Sequence, residues 1–519
     1  MSEINPFVTT RNPLLAQWQS SAFKIVKEEI KDNNPTISER KLIIEAHNHP
    51  IIQGVNLHAT HFNEGNKIAL QQDVNAYENM INALLSEHYF NESLNLLNKN
   101  ETNLEKKLVE EIKTPFGFPF SDYIIDKWIQ CAYIWLKQAN PNNSPYIKVD
   151  NNGGFDSDFQ VFEIPNNSKL VVLGDFGTGL NDSIAMLTSI LRELSPDFII
   201  HLGDIYYSGT EEECQTYVNT FNKAFELANK KVPVFSIPGN HEYYSGGYGF
   251  FNKVIKINKE NGFLKYDQKA SYFSLRTQDG DWQFLGMDSG LNSVKNNIAI
   301  NLFKLIESRS FKFSDLNPDY GPWLEFDEAK WHRDKLENFN GETILLSHHQ
   351  LFSAEEQING ESNVSYLTGT DVKRLKYLNE NLLNVFSPYF SKISAWYWAH
   401  EHHMEIFKKE QLGLKKGRLI GNSGYEEWKG QEVYRETDSP FLREQSNPKL
   451  GVSSVQFNSK EYEFYNHGFA MISVNKDVGK TSYYEYPVLS PNKPLKEPFP
   501  QIMKFKFGEE ILFEKVPTI

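Results

Sequence analysis

Five short stretches of this 519-residue chain place metal-binding or proton-carrying side chains directly after apolar runs. They are Gly174-Asp175-Phe176-Gly177, Gly203-Asp204-Ile205-Tyr206-Tyr207, Gly239-Asn240-His241-Glu242, Ser347-His348-His349 and Ala399-His400-Glu401-His402-His403. Carboxylates, an amide oxygen, imidazoles and a phenol, without a thiolate, make a donor set suited to iron, manganese, zinc or cobalt. The donors are too many for one ion. A pair of ions about 3.5 to 4 Å apart needs one carboxylate between them and the other donors divided around them. Such a pair makes hydroxide available from water near neutral pH. Glycine ahead of Asp or Asn allows the sharp turn and leaves room beside it.

The elements that must position these residues are also legible. LVVLGD (170–175), FIIHLGD (198–204), VPVFSIPGN (232–240), WQFLGMDS (282–289), TILLSHH (343–349) and ISAWYWAH (393–400) are apolar runs that do not alternate. Runs of that kind predict strands covered on both faces. A helical pattern over 182–194 lies between the first two and completes a βαβ unit. The fold class is therefore α/β, with helices layered on buried sheet and ligands expected outside the carboxyl ends of the strands. Later strand signals, LIGN, FAMISV and TSYYEYP, predict a C-terminal antiparallel section.

Upstream, residues 13–31, 75–113 and 121–138 read as helices, and an Asn-, Pro-, Gly- and Asp-rich loop places a domain boundary near residue 160. The expected organisation is a mainly helical region over 1–160, a catalytic domain over 161–490 interrupted by an excursion at about 291–325, and a C-terminal extension over 491–519.

The five blocks GDFG, GDIYY, GNHE, LLSH and AHEH occur in the order of the calcineurin-like metallophosphoesterase motifs, and the segment from about 165 to 490 resembles that superfamily. The pattern is most similar to that of purple acid phosphatases. The resemblance implies a four-layer α/β/β/α sandwich and a dinuclear centre of iron with iron, manganese or zinc. It implies that Asp204 bridges the ions, that Asp175, Tyr207 and His402 hold one, and that Asn240, His348 and His400 hold the other. His241 would stabilise the phosphoryl group and protonate the leaving oxygen, with Glu242 orienting it or assisting. Without a coordinating phenol the centre would be colourless. The implied activity is hydrolysis of a phosphate ester, most simply by a phosphatase acting on a small molecule. A phosphodiesterase of cyclic nucleotides or other diesters is the alternative, and a scaffold that keeps only the fold is the alternative from another class.

Composition narrows the partners. With 53 basic and 67 acidic side chains the net charge is −14, spread along the chain, which disfavours a long nucleic acid or an anionic membrane surface. Two cysteines, Cys131 and Cys214, form no disulfide framework or zinc finger. Absence of a signal-peptide pattern and of a long apolar span leads to the expectation of a cytoplasmic protein.

Several residues compete with a bland reading. His349 is a rival ligand to His348. His403 reads as a group outside the ligand set, His201 as a satisfied core histidine, and Asp288 as a structural cap. The Trp396-Tyr397-Trp398 run is expected to pack against both covering layers. His47, His49, His58 and His61 lack the spacing of a zinc site.

Overall fold

A computed structural model describes residues 30, 31, 34–37, 41, 42, 45, 144–205, 209–295, 322–355, 358, 377–427, 429, 434, 437, 439–444, 449–457, 460–489 and 495–515. The chain divides into two compact units. One comprises Asn143–Val294, Asp319–Ser490 and Leu495–Ile519 and holds every described strand. The other comprises Met1–Asn142, Lys295–Pro318 and Pro491–Pro494. Helices expected at 75–113 and 121–138 lie outside the described residues, as do those of 13–31 except Ile30 and Lys31.

The strands in chain order are β1 (Val161–Ile164), β2 (Ser168–Leu173), β3 (Phe198–His201), β4 (Val234–Ser236), β5 (Phe273–Thr277), β6 (Trp282–Gly286), β7 (Glu342–Leu346) and β8 (Ile393–Trp398). They continue with β9 (Met404–Ile406), β10 (Gly417–Ile420), β11 (Val452–Phe457), β12 (Lys460–Tyr465), β13 (His467–Val474), β14 (Val478–Tyr486) and β15 (Met503–Glu514). The helices that matter for the site are α1 (Asn181–Ser189), α2 (Glu211–Ala228), α3 (Asn240–Tyr244), α4 (Phe326–Glu337) and α5 (Glu380–Phe386).

Two sheets face each other. The first has order β15-β14-β13-β2-β3-β4 and the second β1-β5-β6-β7-β8-β10-β9; β11 and β12 form a separate hairpin. Between them lies a core to which Leu170, Val172, Ile200 and Phe235 contribute from the first sheet and Phe284, Ile344, Tyr397 and Ile420 from the second. Each such buried side chain stabilises the fold by about 1.5–3 kcal/mol. On the outer face of the second sheet, Leu285, Leu345, Trp396 and Trp398 meet Trp331 and Leu336 of α4 and Leu382 and Phe386 of α5. The outer face of the first sheet is covered by α2, whose Tyr217 ring lies 4.9 Å from the His201 ring and whose hydroxyl is 3.2 Å from Ser236 Oγ. The layering is thus α/β/β/α. Strands caught between two apolar layers have no polar face, which is why their sequences do not alternate. Trp396 and Trp398 point one way and Tyr397 the other, into the two cores.

Helix α2 shows how local sequence sets its start. Thr210 Oγ1 accepts the Glu213 N–H at 3.3 Å, and Glu213 Oε2 accepts the Thr210 N–H at 2.9 Å, a reciprocal capping box.

Three features differ from the sequence expectation. The antiparallel section is β13 to β15, whereas β10 of LIGN lies in the second sheet, parallel to β8 on one side and antiparallel to β9 on the other. Met503–Glu514, expected beyond the domain, is the edge strand β15; Lys504, Lys506, Glu509 and Glu510 interrupt its apolar pattern because one of its sides is an edge. Residues 144–160, placed ahead of the boundary, pack on this unit: Val149 is fully buried and donates its N–H to Asp327, and the Tyr272 hydroxyl donates to the Ile147 carbonyl. The excursion at 291–325 is described only at its flanks, a helix at Leu291–Lys295 and the buried Leu324. Among the described residues no helix is long and apolar enough to cross a membrane.

Candidate metal centre

Strands β2, β3 and β4 run parallel, as do β6, β7, β8 and β10, so the loops after them gather at common edges. Three of these loops, those after β2, β3 and β8, turn through rare backbone geometry. Asp175, Asp204 and His400 have φ of 52°, 69° and 76°. A non-glycine residue in this region costs roughly 1 kcal/mol or more and is kept where surrounding structure fixes it, most often at functional sites. Gly239 shows how tight the packing is: a Cβ there would land on the Asp204 carboxylate and 2.7 Å from the His348 ring.

Around His348 the described candidates converge. Its Nε2 lies 3.1 Å from Asn240 Oδ1, 3.2 Å from Asp204 Oδ2 and 3.2 Å from His400 Nδ1. Its Nδ1 lies 2.9 Å from the Leu202 carbonyl oxygen, which can only accept, so in the neutral ring the proton sits on Nδ1 and Nε2 presents a lone pair. A bare nitrogen held against two oxygens and a second imidazole nitrogen is repulsive unless a proton or a cation sits among them. The donor set therefore fits a metal ion, and the carbonyl that orients His348 is the partner expected behind a metal-bound imidazole.

A second convergence lies beside the first. His402 Nε2 is 3.4 Å from Asp175 Oδ1, and suitable atoms of Asp175, Asp204 and His402 all fall within 4.8 Å of one another. The two carboxylates are held by amides from neighbouring loops: the His400 N–H donates to Asp175 Oδ2 at 2.9 Å, and the His241 N–H to Asp204 Oδ1 at 3.0 Å. His402 stacks on Tyr425 with ring centroids 3.5 Å apart, and its Nδ1 stands 3.8 Å from Glu427 Oε1.

His241 is buried, with Nε2 3.7 Å from Asp204 Oδ2. Glu242, fully buried, turns its Oε2 to the backbone, accepting the N–H groups of Gly239 at 2.6 Å and Asp204 at 3.2 Å. It thus pins two of the loops together. Burial, and then the neighbouring Asp204 charge, pushes its carboxyl well above the ordinary range. Burial holds His348 below its ordinary range, and burial with His400 and His348 nearby holds His349 well below it.

Tyr207, with Tyr206, lies outside the described residues, as do His47, His49, His58 and His61. His349 sits inside the imidazole cluster, its ring centroid 4.6 Å from that of His400. His403 belongs elsewhere, with Glu355 and Glu405 in a buried group where Arg443 pairs with both carboxylates. His201 is a core histidine packed on Tyr217, but among the described residues neither ring nitrogen has a hydrogen-bond partner, and burial lowers its pKa to about 3. Asp288 is a cap, with Oδ1 accepting the N–H groups of Gly290 and Leu291.

Sequence reasoning missed Tyr425 and Glu427 behind His402, and Ser289 beside His349. The GNSG and GMDSG stretches that precede or contain them were the available signal.

Residues 168–404 match the family model described as calcineurin-like phosphoesterase. Similar solved structures include a dimetal phosphatase from Danio rerio, 10% identical, covering 68% of this chain and 100% of that one with a TM-score of 0.39. Another is PhoD, 10% identical, covering 68% of this chain and 73% of that one, also with a TM-score of 0.39. Among curated proteins none matches this sequence.

Proposed function

We propose that this chain, whose residues 168–404 match the calcineurin-like phosphoesterase model, is a metal-dependent phosphoric ester hydrolase, and more closely a dinuclear phosphatase of small phosphorylated molecules. The family implies two metal ions; iron paired with iron, manganese or zinc suits the mixed oxygen and imidazole donors. Asp204 would lie between them, Asp175, His402 and Tyr207 would hold one, and Asn240, His348 and His400 the other. The observation that carries this reading is the place of Asp204: its Oδ2 is 3.2 Å from His348 Nε2, while its carboxylate also belongs to the cluster with Asp175 and His402. When bound, the ions supply Lewis-acid charge for phosphate oxygens and lower the pKa of water.

The side chains do the remainder. His241, tethered to Asp204 through its backbone N–H, donates from its protonated ring to the phosphoryl group and then to the leaving oxygen. Glu242 acts through position, locking Gly239 and Asp204 so that His241 keeps its aim. A small substrate is favoured because the chain is acidic overall, at −14, and a long polyanion would need a basic track.

The test is a panel of phosphomonoesters and phosphodiesters assayed with protein of measured metal content. Higher kcat/KM for monoesters is the expected result, and the reverse preference would replace the phosphatase reading with a phosphodiesterase. Hydrolysis of no ester would leave the scaffold reading.

A further inference from the structure

We propose that His349 is a substrate-binding residue, a neutral imidazole whose Nε2–H donates to a non-bridging phosphoryl oxygen and whose tautomer is set by Ser289. The inference rests on the dinuclear phosphoesterase reading and assigns one more side chain to its substrate.

His348 and His349 are neighbours with rings 4.8 Å apart and nearly perpendicular, yet their Nδ1 atoms face opposite chemistry. His348 Nδ1 faces the Leu202 carbonyl and must donate, leaving a lone pair on Nε2. His349 Nδ1 lies 3.1 Å from Ser289 Oγ. That hydroxyl oxygen already accepts the His349 backbone N–H at 3.0 Å, and among the described residues its own hydrogen has one partner, His349 Nδ1. The hydroxyl therefore donates, Nδ1 accepts, and the ring proton of His349 resides on Nε2. A nitrogen that keeps its proton is a donor and not a metal ligand.

The position suits that role. His349 is 4% exposed, a ring nitrogen of it lies within 4.8 Å of nitrogens of His348 and His400, and among the described residues its Nε2 has no hydrogen-bond partner. An N–H that has no acceptor among the described residues is available to an anionic oxygen brought in by substrate, and a charge-assisted bond of that kind is stronger than a neutral one. Ser289 is itself fixed: Asp288 Oδ1 accepts the N–H groups of Gly290 and Leu291, and at Gly290 a Cβ would strike the backbone of Gly239, so the loop after β6 is seated against the loop that carries Asn240 and His241.

The test uses the full chain loaded with metal, comparing wild type with H349A, H349Q, S289A and the S289A/H349A pair. Metal per chain is measured by elemental mass spectrometry, affinity for inorganic phosphate by calorimetry, and kcat and KM on the best monoester. H349A is expected to keep the wild-type metal content while weakening phosphate binding about tenfold and lowering kcat/KM by roughly 10²-fold, the scale of losing one preorganised donor. H349Q, which retains an N–H donor and the polar bulk, is expected to recover part of both and guards against a folding defect in H349A. S289A is expected to cost a few-fold, about 3 to 10, and to add nothing to H349A, because Ser289 acts through His349. Loss of one metal ion per chain in H349A would make His349 a ligand and overturn the proposal. Wild-type phosphate affinity and kinetics in H349A would also overturn it. A wild-type protein that carries two ions but neither binds phosphate nor hydrolyses any ester would overturn the phosphoesterase reading and this proposal with it.

Discussion

The two sheets meet the rim with different chemistry. Loops of the first sheet bring oxygen donors, Asp175, Asp204 and Asn240, whereas loops of the second bring imidazoles, His348, His400 and His402. They are also held by different means. The carboxylates are fixed by backbone N–H groups, and the imidazoles of His348 and His402 by a carbonyl and a stacked ring. Moreover the restraints cross over. Asp175 of the first sheet accepts from the His400 N–H of the second, and His348 of the second is oriented by the Leu202 carbonyl of the first. Neither half is preorganised without its neighbour, so the centre reports the docking of two sheets rather than the folding of either.

That comparison can be broken at several points. The largest effect is expected for Asp204→Asn, which weakens a donor shared by both clusters: elemental analysis should show loss of both ions, and kcat should fall by about 10³-fold or more. His402→Ala removes a donor from one cluster alone, so one ion should remain and kcat should fall by roughly 10²-fold; equal metal loss in the two variants would erase the distinction between shared and private donors. Gly239→Ala forces a methyl group onto Asp204 and His348, and chemical denaturation should show it less stable by about 1–3 kcal/mol.

A smaller effect concerns the buried acids behind the rim. Burial and then the Glu328 charge push Asp288 up to about 7, and burial pushes Glu328 up to about 8. Folded-state pKa values above the unfolded carboxyl range mean that this contribution is fully present below about pH 4 and is lost as pH rises through about 8. Glu328→Gln should therefore lose less Tm than wild type between pH 5 and pH 8.5. An identical slope would show that the pair does not govern stability there. The smallest change is expected for Lys223→Ala on the exposed face of α2, whose 2.8 Å ion pair with Glu226 is solvent-facing and contributes at most about 0.5 kcal/mol.

Much of the α/β/β/α frame was legible because burial on both faces leaves a plain mark: β3 is Phe198–His201 and β8 is Ile393–Trp398, and neither contains an exposed position. The order of strands across the sheets was not, since nothing local tells β10 to pair with β8 while β13 pairs with β2. Edge strands escaped for a related reason; in β15 most positions are partly or wholly exposed, so charged residues interrupt the apolar signal. At the centre, the candidate donors could be read from strand-end motifs, but the restraints on them could not. Ser289 finds His349 across 60 residues of sequence, and Leu202 finds His348 across 146, distances over which spacing carries no information.

The pairing of β13 with β2 sets a schedule for biosynthesis. Val172 waits for Ala470, a partner nearly 300 residues further along the chain, while β3 and β4 become available much sooner. At about 5–20 residues per second, a ribosome takes on the order of 15 to 60 s to deliver that partner. During that interval one apolar margin of β2 is open, and nonlocal closure of this sort is slow once the strand arrives. Chaperone occupancy of nascent chains should accordingly peak between emergence of β4 and emergence of β13, and chains terminated in that window should aggregate.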